Sequence, residues 1–255
     1  MLDIESLDQP PSELLSARDA LRERLLHDIL HAAIEPLPVE QDPLTENAIM
    51  TRYEQGSRMP VRMALAVLAG EGLVRQRARH GYWLVQYEAD DVVQILGMRS
   101  GVEVMVAVAL NEMQRASVEA SDQPLGDRLS LWHEALNHQS AMGDLATLAQ
   151  STGDVDWDRE AAFADADTAF HRSLAQAAGY DLAARHIVDW RNQMRIFRLQ
   201  QKLRYDPGAL AEIHAEHARI LETISSGDAG LAAEVARSHV GGVMTRMRAL
   251  VPAYA

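Results

Sequence analysis

The stretch that decides the fold of the first third of the chain is SRMPVRMALAVLAGEGLV, residues 57–74. Ser57 is a favoured N-cap residue, and Pro60 lies in the first helical turn, where its missing N–H is not needed. The helix predicted here has one apolar face, formed by Val61, Leu65 and Leu68. Gly70 and Gly72 then end it, because glycine is disfavoured inside a helix and favoured just beyond its end.

Further elements are predicted on both sides of this helix. Apolar periodicity indicates a helix that starts near Ser16 and ends before a proline-bearing stretch. The other elements are, in chain order, a short helix over residues 45–53, a tight turn at 54–56, strands over 73–76 and 82–85, and a basic turn between the strands. Helix, helix, turn, helix and hairpin is the order of a winged helix-turn-helix, which we assign to residues 1–86.

Charge is distributed unevenly along the chain. The net charge is −13, which by itself argues against binding to nucleic acid. Residues 51–85, however, contain six arginines and only two glutamates. A basic window of this kind within an acidic protein is compatible with a local DNA-binding surface.

The candidate DNA contacts lie at two places in this window. A helix-turn-helix places the N-terminal end of its second helix in the major groove. Arg58 and Arg62 are one turn apart at that end, and a guanidinium can bond a guanine edge or a phosphate. Further candidates are Ser57, which can also reach a phosphate, and the wing residues Arg77, Arg79 and His80. The alternative interpretation is a solvated basic face on an ordinary helical domain.

A second, helical domain is predicted over residues 92–252, after a linker at residues 87–91. Helical periodicity continues almost throughout this part of the sequence. Its later helices are predicted over 159–178, 182–203, 209–226 and 228–250. The predicted fold class is therefore mainly α, with a winged helix-turn-helix followed by an antiparallel helical bundle.

Composition bears on the cellular compartment. The sequence contains no cysteine, which excludes disulfides and thiolate metal sites. No apolar run approaches the length needed to cross a bilayer, and the acidic N-terminal segment lacks the basic and apolar regions of a signal peptide. We therefore expect a cytoplasmic protein.

Four polar residues fall on the apolar stripes of the predicted second domain. They are Asp167, His171, His217 and His239. Asp167 and His171 are four residues apart, so both side chains can meet one ion. One divalent cation would satisfy all four, and imidazoles with one carboxylate suit zinc or nickel, with manganese as a further candidate. The alternative is a buried hydrogen-bond network without a metal.

Arginines also fall within the helical pattern. Arg99 lies on an apolar stripe, and an inward-facing arginine needs an anion, which is either a bound carboxylate or an internal acid such as Glu103. A second row of arginines follows later in the chain, at Arg191, Arg195 and Arg198. We interpret that row as a solvated face or a dimer contact. One of its residues, Arg195, is expected to reach the effector-binding pocket.

Residues 44–81 resemble the DNA-binding domain of the GntR family of bacterial regulators. The usual core of that family is Ser-Arg-Thr-Pro-Val-Arg-Glu-Ala-Leu, followed by Glu-Gly-Leu-Val. This sequence keeps Ser57, Arg58, Pro60, Val61, Arg62, Ala64 and Leu65, but has Met59 and Met63 in place of the threonine and glutamate. The resemblance implies that Arg58, Arg62 and the wing residue Gly81 contact DNA. Ala48 stands where some relatives have a DNA-contacting arginine, so no operator sequence carries over.

The second domain resembles the helical FCD effector domain found in one GntR subclass. The matching motifs are Asp-x-x-Phe-His at 167–171, Glu-His-x-x-Ile at 216–220 and Ser-His at 238–239. By this resemblance, the aspartate and three histidines named above hold a metal, and an effector, often a carboxylate, binds beside it. Relatives often carry an arginine at the position of Arg99, which implies a role as carboxylate clamp.

Three functions are compatible with these patterns. The first is a dimeric, ligand-responsive DNA-binding regulator, most simply a repressor, controlled by a small organic acid and without enzymatic activity. The second is a metal-dependent hydrolytic enzyme with an accessory N-terminal domain. The third is a winged helix used for protein contacts, against which Arg58 and Arg62 argue.

Overall fold

The computed structural model describes residues 11–31, 43–77, 80–120 and 128–250. Within these residues the elements are α1 (Pro11–Leu30), α2 (Glu46–Arg52), α3 (Arg58–Gly70), β1 (Val74–Arg77), β2 (Gly81–Leu84), α4 (Ala89–Ala120), α5 (Leu129–Thr152), α6 (Trp157–Ala177), α7 (Asp181–Gln200), α8 (Pro207–Ser225) and α9 (Ala229–Leu250). The predicted fold class, mainly α with a winged helix-turn-helix and a helical second domain, is confirmed.

The chain divides into two compact units. The first contains Met1–Tyr87 together with Arg195–Gln200, and the second contains Glu88–Met194 and Gln201–Ala255. Helix α4 already begins at Ala89, so most of the predicted linker at residues 87–91 is helical.

The first unit is built on the apolar face that the sequence predicts for α3. The side chains of Val61, Leu65 and Leu68 are fully buried. They share one core with residues from α1, the hairpin and the last turn of α7, among them Leu25, Ile29, Leu73, Leu84 and Ile196. Helix α1 begins at Pro11, about five residues before the start near Ser16 that the capping-box position of Asp19 had indicated.

Side-chain caps fix where α2 and α3 begin. The Thr45 hydroxyl accepts a hydrogen bond from the backbone N–H of Ala48 at 3.1 Å, and Ser57 accepts one from Met59 at 3.3 Å. Each cap satisfies a backbone donor that the first helical turn leaves without a partner. The N-terminal end of α3, with its exposed arginines, is therefore held in place by its own sequence.

The wing is a two-stranded antiparallel hairpin in which Val74 pairs with Leu84 and Arg77 with Gly81. Both strands lie within one residue of their predicted positions. Gly81 has a φ of +107°, and a Cβ at this position would lie 2.9 Å from the carbonyl oxygen of Leu44. Tyr82 and Leu44 exchange backbone hydrogen bonds of 2.7 and 2.9 Å. A glycine at 81 is thus required by the close approach of the segment before α2.

The second unit is a helical bundle whose core is formed by α4, α5, α6, α7, α8 and α9. Buried apolar residues include Leu110, Met142, Phe170, Ile187, Ile213 and Ile220. Acidic side chains cap two of these helices, α6 and α8: Asp156 accepts from the N–H of Arg159 at 2.7 Å, and Asp206 from that of Ala209 at 2.8 Å. The connection between α5 and α6 is short, because α5 continues to Thr152 and α6 begins at Trp157. Residues 121–127 lie outside the described part of the chain.

Helix α4 corrects one expectation from the sequence. Over Ala89–Ser117 it is long and apolar enough to cross a membrane by length and composition alone, with 39% of its most apolar window buried in the protein. One face packs against α9, α8 and α6. A helix that lines the core of a bundle has the same composition, so this feature does not by itself indicate a membrane span.

A short turn joins α7 to α8. It contains Lys202, the only lysine in the sequence, which adopts a φ of +53°. This backbone region is uncommon for residues other than glycine. The turn is exposed at Lys202.

Candidate functional site

The second unit brings together the three histidines that lie on predicted core stripes. His171 lies on α6, His217 on α8 and His239 on α9, and each side chain is at most 4% exposed. Their ring centroids are 4.6–5.2 Å apart. One ring nitrogen from each lies within 4.8 Å of the other two. The cluster is thus formed by three helices whose apolar stripes meet in the core.

Asp167 completes this cluster from one turn before His171. Its Oδ1 lies 3.1 Å from Nε2 of His217 and 3.7 Å from Nε2 of His171. Its Oδ2 accepts a hydrogen bond from Nη1 of Arg191. Oδ1 is buried and has no hydrogen-bond partner among the residues that the structure describes. One carboxylate oxygen is therefore neutralised by an arginine while the other is turned toward the histidines.

His239 is oriented by an acid behind it. Its Nδ1 lies 2.9 Å from Oε2 of Glu216, so the imidazole donates its Nδ1–H to that carboxylate. Glu216 is itself held by Arg246 through two hydrogen bonds of 2.8 Å. This leaves the lone pair of His239 Nε2 buried, with no partner within the described ranges. A carboxylate that fixes the tautomer of a histidine in this way is the usual arrangement behind a metal-binding imidazole.

His171 has an acid on one side and a second imidazole on the other. Its Nδ1 lies 3.3 Å from Oε2 of Glu103, and its Nε2 lies 3.0 Å from Nε2 of His217. With the proton of His171 on Nδ1, its Nε2 lone pair points toward His217 and Asp167. Two nitrogens and a carboxylate oxygen therefore converge on one small volume.

Burial keeps the three imidazoles neutral. It lowers the pKa of both His171 and His217 to about 3, and it lowers the pKa of His239 well below its ordinary value. The loss of hydration dominates each shift, and the positive charge of Arg99 adds to it. A neutral imidazole is the form that offers a lone pair to a metal.

The residues present fit a divalent metal ion. Ligands of one tetrahedral zinc ion lie about 3 Å from one another, because each is about 2 Å from the metal. Nε2 of His171, Nε2 of His217 and Oδ1 of Asp167 lie 3.0 to 3.7 Å from one another, and His239 offers a nitrogen within 4.8 Å of those of the other two histidines. Asp167 Oδ1 and His239 Nε2 are buried acceptors without a hydrogen-bond donor among the described residues. Three imidazoles with one carboxylate suit zinc, nickel or manganese, so these groups could hold such an ion.

Arg99 forms an internal ion pair. Its Nε donates to Oε1 of Glu103 at 2.9 Å, and the arginine is only 2% exposed. Burial alone would raise the pKa of Glu103, but the charged guanidinium groups of Arg99 and Arg191 hold it well below its ordinary range. The salt bridge that the sequence left open as an alternative is therefore present, and any role of Arg99 toward an effector involves a guanidinium that already has an acid.

Arg191 is the residue that sequence reasoning missed. The row Arg191, Arg195 and Arg198 was interpreted as a solvated face or a dimer contact. The solvated face is wrong, because the three are only 6%, 9% and 8% exposed. Arg191 binds Asp167, and its Nη2 lies 3.8 Å from Oε1 of Glu103. Arg195, predicted to reach the pocket, lies in the segment that groups with the first unit. The signal was available, since Arg191 follows buried Ala184 and Ile187 at helical spacing.

A small cavity adjoins the histidines. Its volume is about 10 Å³, which is enough for about one water molecule. The lining comprises Glu103 and His171 together with Val106, Ala107, Leu174, Ile187, Ile220 and Ala236. Polar and apolar side chains thus line this cavity together.

In the first unit, the predicted DNA-contacting side chains are exposed at the N-terminal end of α3. Arg58 and Arg62 both point to solvent, while the Ser57 hydroxyl caps the helix. Arg62 donates from Nε to Oε1 of Glu46 at 2.9 Å. Arg58 donates from Nη2 to Oδ1 of Asn47 at 3.2 Å. Both partners lie in the first turn of α2.

The wing contributes further positive charge. Arg77 is exposed, and its guanidinium lies 5.0 Å from the centre of the Trp83 ring, a cation–π contact. His80 is exposed, and its backbone N–H donates to the carbonyl of Arg77 at 3.0 Å. Arg79, also predicted to contact DNA, lies outside the described residues.

Comparison with known families identifies the second domain. Residues 143–242 match the model of the FCD domain. This stretch includes all four residues of the predicted metal cluster, and the resemblance of the second domain to the FCD domain is confirmed.

Solved structures share the fold of the whole chain. Escherichia coli McbR/YncC superposes with a TM-score of 0.63 at 14% identity, over 91% of this chain and 98% of that one. A Rhodococcus sp. RHA1 protein described as a GntR transcriptional regulator gives 0.64 at 16% identity, over 94% and 99%. Lar, described as controlling expression of the Listeria monocytogenes agr system, gives 0.53 at 18% identity, over 92% and 97%. A search of curated proteins finds no match.

Removal of one histidine of the FCD domain tests the metal centre. We expect Zn²⁺ or Ni²⁺ to raise the Tm of the parent protein, because an ion that binds only the folded state stabilises it. His217→Ala removes a fully buried member of the cluster and should abolish the shift. Glu216→Gln should weaken metal binding roughly 10- to 100-fold, because Glu216 orients His239. Differential scanning fluorimetry and isothermal titration calorimetry measure the two effects.

The matched control for this test is His133→Ala, which removes an exposed histidine of α5 and should leave the metal response unchanged. A parent protein that carries no metal by elemental analysis, and whose Tm does not respond to either ion, would contradict the metal centre.

Proposed function

We propose that this protein is a cytoplasmic, ligand-responsive DNA-binding transcription regulator, acting as a repressor that a small carboxylate effector releases. The observation that carries the proposal is the pair of exposed arginines at the capped N-terminal end of α3, beside a basic wing. A helix-turn-helix uses this end of its second helix to reach base edges in the major groove. The presence of an FCD domain in the same chain supports the role of a sensor for the second unit.

The DNA-binding surface combines two kinds of contact. Arg58 and Arg62 would enter the major groove, and Arg77 and His80, which are exposed on the wing, would contact the neighbouring DNA backbone. Phosphate contacts by arginine supply affinity for any sequence, and base contacts supply specificity. The net charge of −13 opposes unspecific attraction to DNA, so binding depends on this local surface.

We propose that a second copy of the chain covers the exposed face of α4. Gly97, Met98, Gly101 and Met105 recur along this face, all are exposed, and a Cβ at either glycine would have open space around it. Met98 and Met105 are 48% and 40% exposed, which is unfavourable for such apolar side chains in water. Glycines permit close approach of two helices. A dimer also supplies the two recognition helices that two half-sites require.

The effector is proposed to be a small carboxylate that binds beside the histidine cluster. Asp167, His171, His217 and His239 would hold the divalent ion, which when bound supplies positive charge and open coordination positions at this place. The surrounding ion pairs are balanced, with Arg99, Arg191 and Arg246 facing Glu103, Asp167 and Glu216. An ion added to balanced charges favours an anionic ligand.

The same geometry is unfavourable for hydrolysis. A general base must be able to reach and accept a proton from an attacking water. The carboxylates nearest the histidines in the described part of the chain are Asp167, Glu103 and Glu216, and an arginine holds each of them. We therefore propose a sensing role for the cluster and not a catalytic one.

Two arginine substitutions test the DNA-binding surface. Arg62→Ala should cost about 1–3 kcal/mol in operator binding and relax base preference, because this residue is placed to read a base. Arg77→Ala should weaken binding to all duplexes similarly and reduce the salt dependence by about one counterion. Fluorescence anisotropy titrations at several salt concentrations measure both, with duplexes that cover the DNA adjacent to the gene. Arg185→Ala, an exposed arginine of α7, is the control, and equal binding by all variants would contradict the assignment.

Charge placed on the exposed face of α4 tests the dimer. Met98→Glu combined with Met105→Glu should convert a dimer to a monomer, because two-fold pairing would bring these charges together in an apolar interface. Size-exclusion chromatography with light scattering measures the mass. Leu182→Glu, at a residue of α7 that is 62% exposed, should leave the dimer intact. A monomeric parent protein at micromolar concentration would refute the proposed interface.

A DNA titration with and without a panel of short organic acids tests signalling. The true effector should lower operator affinity by a coupling free energy of about 1–3 kcal/mol. Asp167→Asn and His239→Ala should remove this response, and Arg99→Ala should weaken effector binding, while DNA binding without effector persists. His133→Ala should respond as the parent does. An effector that still acts on the Asp167→Asn and His239→Ala proteins would place the sensing pocket elsewhere.

A further inference from the structure

An acidic residue holds one of the two exposed recognition arginines. Oε1 of Glu46 accepts a hydrogen bond from Nε of Arg62 at 2.9 Å. The hydrogen bond and the negative charge of Glu46 together raise the pKa of Arg62. Glu46 lies in the first turn of α2, directly after the capping residue Thr45, where the helix dipole favours a carboxylate. The pair joins the two helices of the helix-turn-helix at the end that is placed to face DNA.

Glu46 bonds one particular atom of Arg62, and this determines which guanidinium N–H groups remain available to contact DNA. A guanidinium offers Nε–H and one terminal nitrogen along its side, and two terminal nitrogens at its end. Glu46 takes the Nε–H, and within the described residues no acceptor bonds the terminal nitrogens of Arg62. That end matches the O6 and N7 acceptors of guanine in the major groove.

Arg58 is held differently. Its bond runs from a terminal nitrogen, Nη2, to the neutral side-chain oxygen of Asn47 at 3.2 Å. This bond uses one terminal N–H of Arg58, and Asn47 carries no charge, so it opposes a phosphate little. The two arginines one turn apart are thus in unequal electrostatic environments, since of the two only Arg62 pairs with a carboxylate among the residues that the structure describes.

We propose that Glu46 is a positioning residue that makes Arg62 a reader of guanine and keeps it from acting as a general phosphate contact. The inference rests on the proposed DNA-binding function. Glu46 fixes the direction of the guanidinium, so that little side-chain entropy remains to be lost when the terminal nitrogens meet O6 and N7. Its negative charge also repels a phosphate that approaches the same arginine, whereas a neutral guanine edge is not repelled.

The first experiment determines base preference with the full-length protein. Parent, Glu46→Ala, Glu46→Gln and Arg62→Ala each select from a random duplex library, and the enriched pools are sequenced. The parent should enrich a motif with a guanine that the Arg62→Ala pool lacks. Glu46→Ala should lose preference at that same position. Glu46→Gln should retain part of it, because the amide oxygen can still accept from Nε.

The second experiment measures affinity on the enriched duplex and on the duplex with that guanine changed to adenine. For the parent, the change should weaken binding roughly 5- to 150-fold, the range of one bidentate base contact. In Glu46→Ala this ratio should shrink toward one, while binding to the changed duplex becomes tighter. The slope of log affinity against log salt should become steeper by about 0.9, as expected when one more arginine reaches a phosphate.

A matched variant controls for the lost negative charge. Glu23→Gln removes one acid from the same unit, where Glu23 pairs with Arg22 of α1 at 2.7 Å. It should leave base preference and the guanine-to-adenine ratio as in the parent. If it reproduces the effects of Glu46→Ala, net charge explains them and the proposed positioning is wrong.

The remaining outcomes separate this inference from the function on which it rests. A parent protein that enriches no motif refutes the proposed DNA-binding function, and the inference with it. A parent that enriches a motif, while Glu46→Ala keeps the same guanine at the same ratio, refutes the inference alone. If Glu46→Ala binds every duplex more weakly by the same factor and has a lowered Tm, the pair of Glu46 and Arg62 only joins α2 to α3. This result also overturns the inference.

Discussion

The burial of charged groups in the core of the second unit is the constraint on which the rest of that domain depends. Asp167, Glu103 and Glu216 are each neutralised by an arginine, and each also meets a histidine. Buried charges are costly unless paired, and loss of one partner leaves the other uncompensated. The pairs reach across α4, α6, α7, α8 and α9, so the same contacts that satisfy the charges fix the relative positions of these helices.

The histidine cluster could be predicted because it obeys the same periodicity as the core. His171, His217 and His239 occupy positions where the stripe requires a buried side chain, and the structure places them there. Arg191 obeys the same rule but was interpreted by its charge, as part of a solvated row. Glu103 was recognised only as one candidate partner of Arg99. The position of a residue on the apolar stripe of a helix decides whether it is buried. A charged residue on such a stripe therefore indicates a partner of opposite charge elsewhere in the core.

Contacts between residues that are far apart in the sequence were harder to predict than the bounds of single helices. Ser57, Pro60, Gly70 and Gly72 define α3 locally, so its bounds were predicted well. The bond between Arg62 and Glu46 joins residues 16 positions apart, and it depends on the packing angle of α2 against α3. Likewise, the requirement for glycine at 81 follows from the approach of Leu44 and not from the turn sequence alone. Periodicity specifies faces, while tertiary packing selects the partners.

The single lysine of the sequence lies at a consequential place. Lys202 is exposed in the turn between α7 and α8, after Asp167 and His171 and before His217 and His239. A lysine-specific protease would therefore divide this sequence once, with one half of the polar cluster on each fragment. Since no disulfide can join the pieces, their continued association would measure how strongly noncovalent packing and any shared ion hold the domain together.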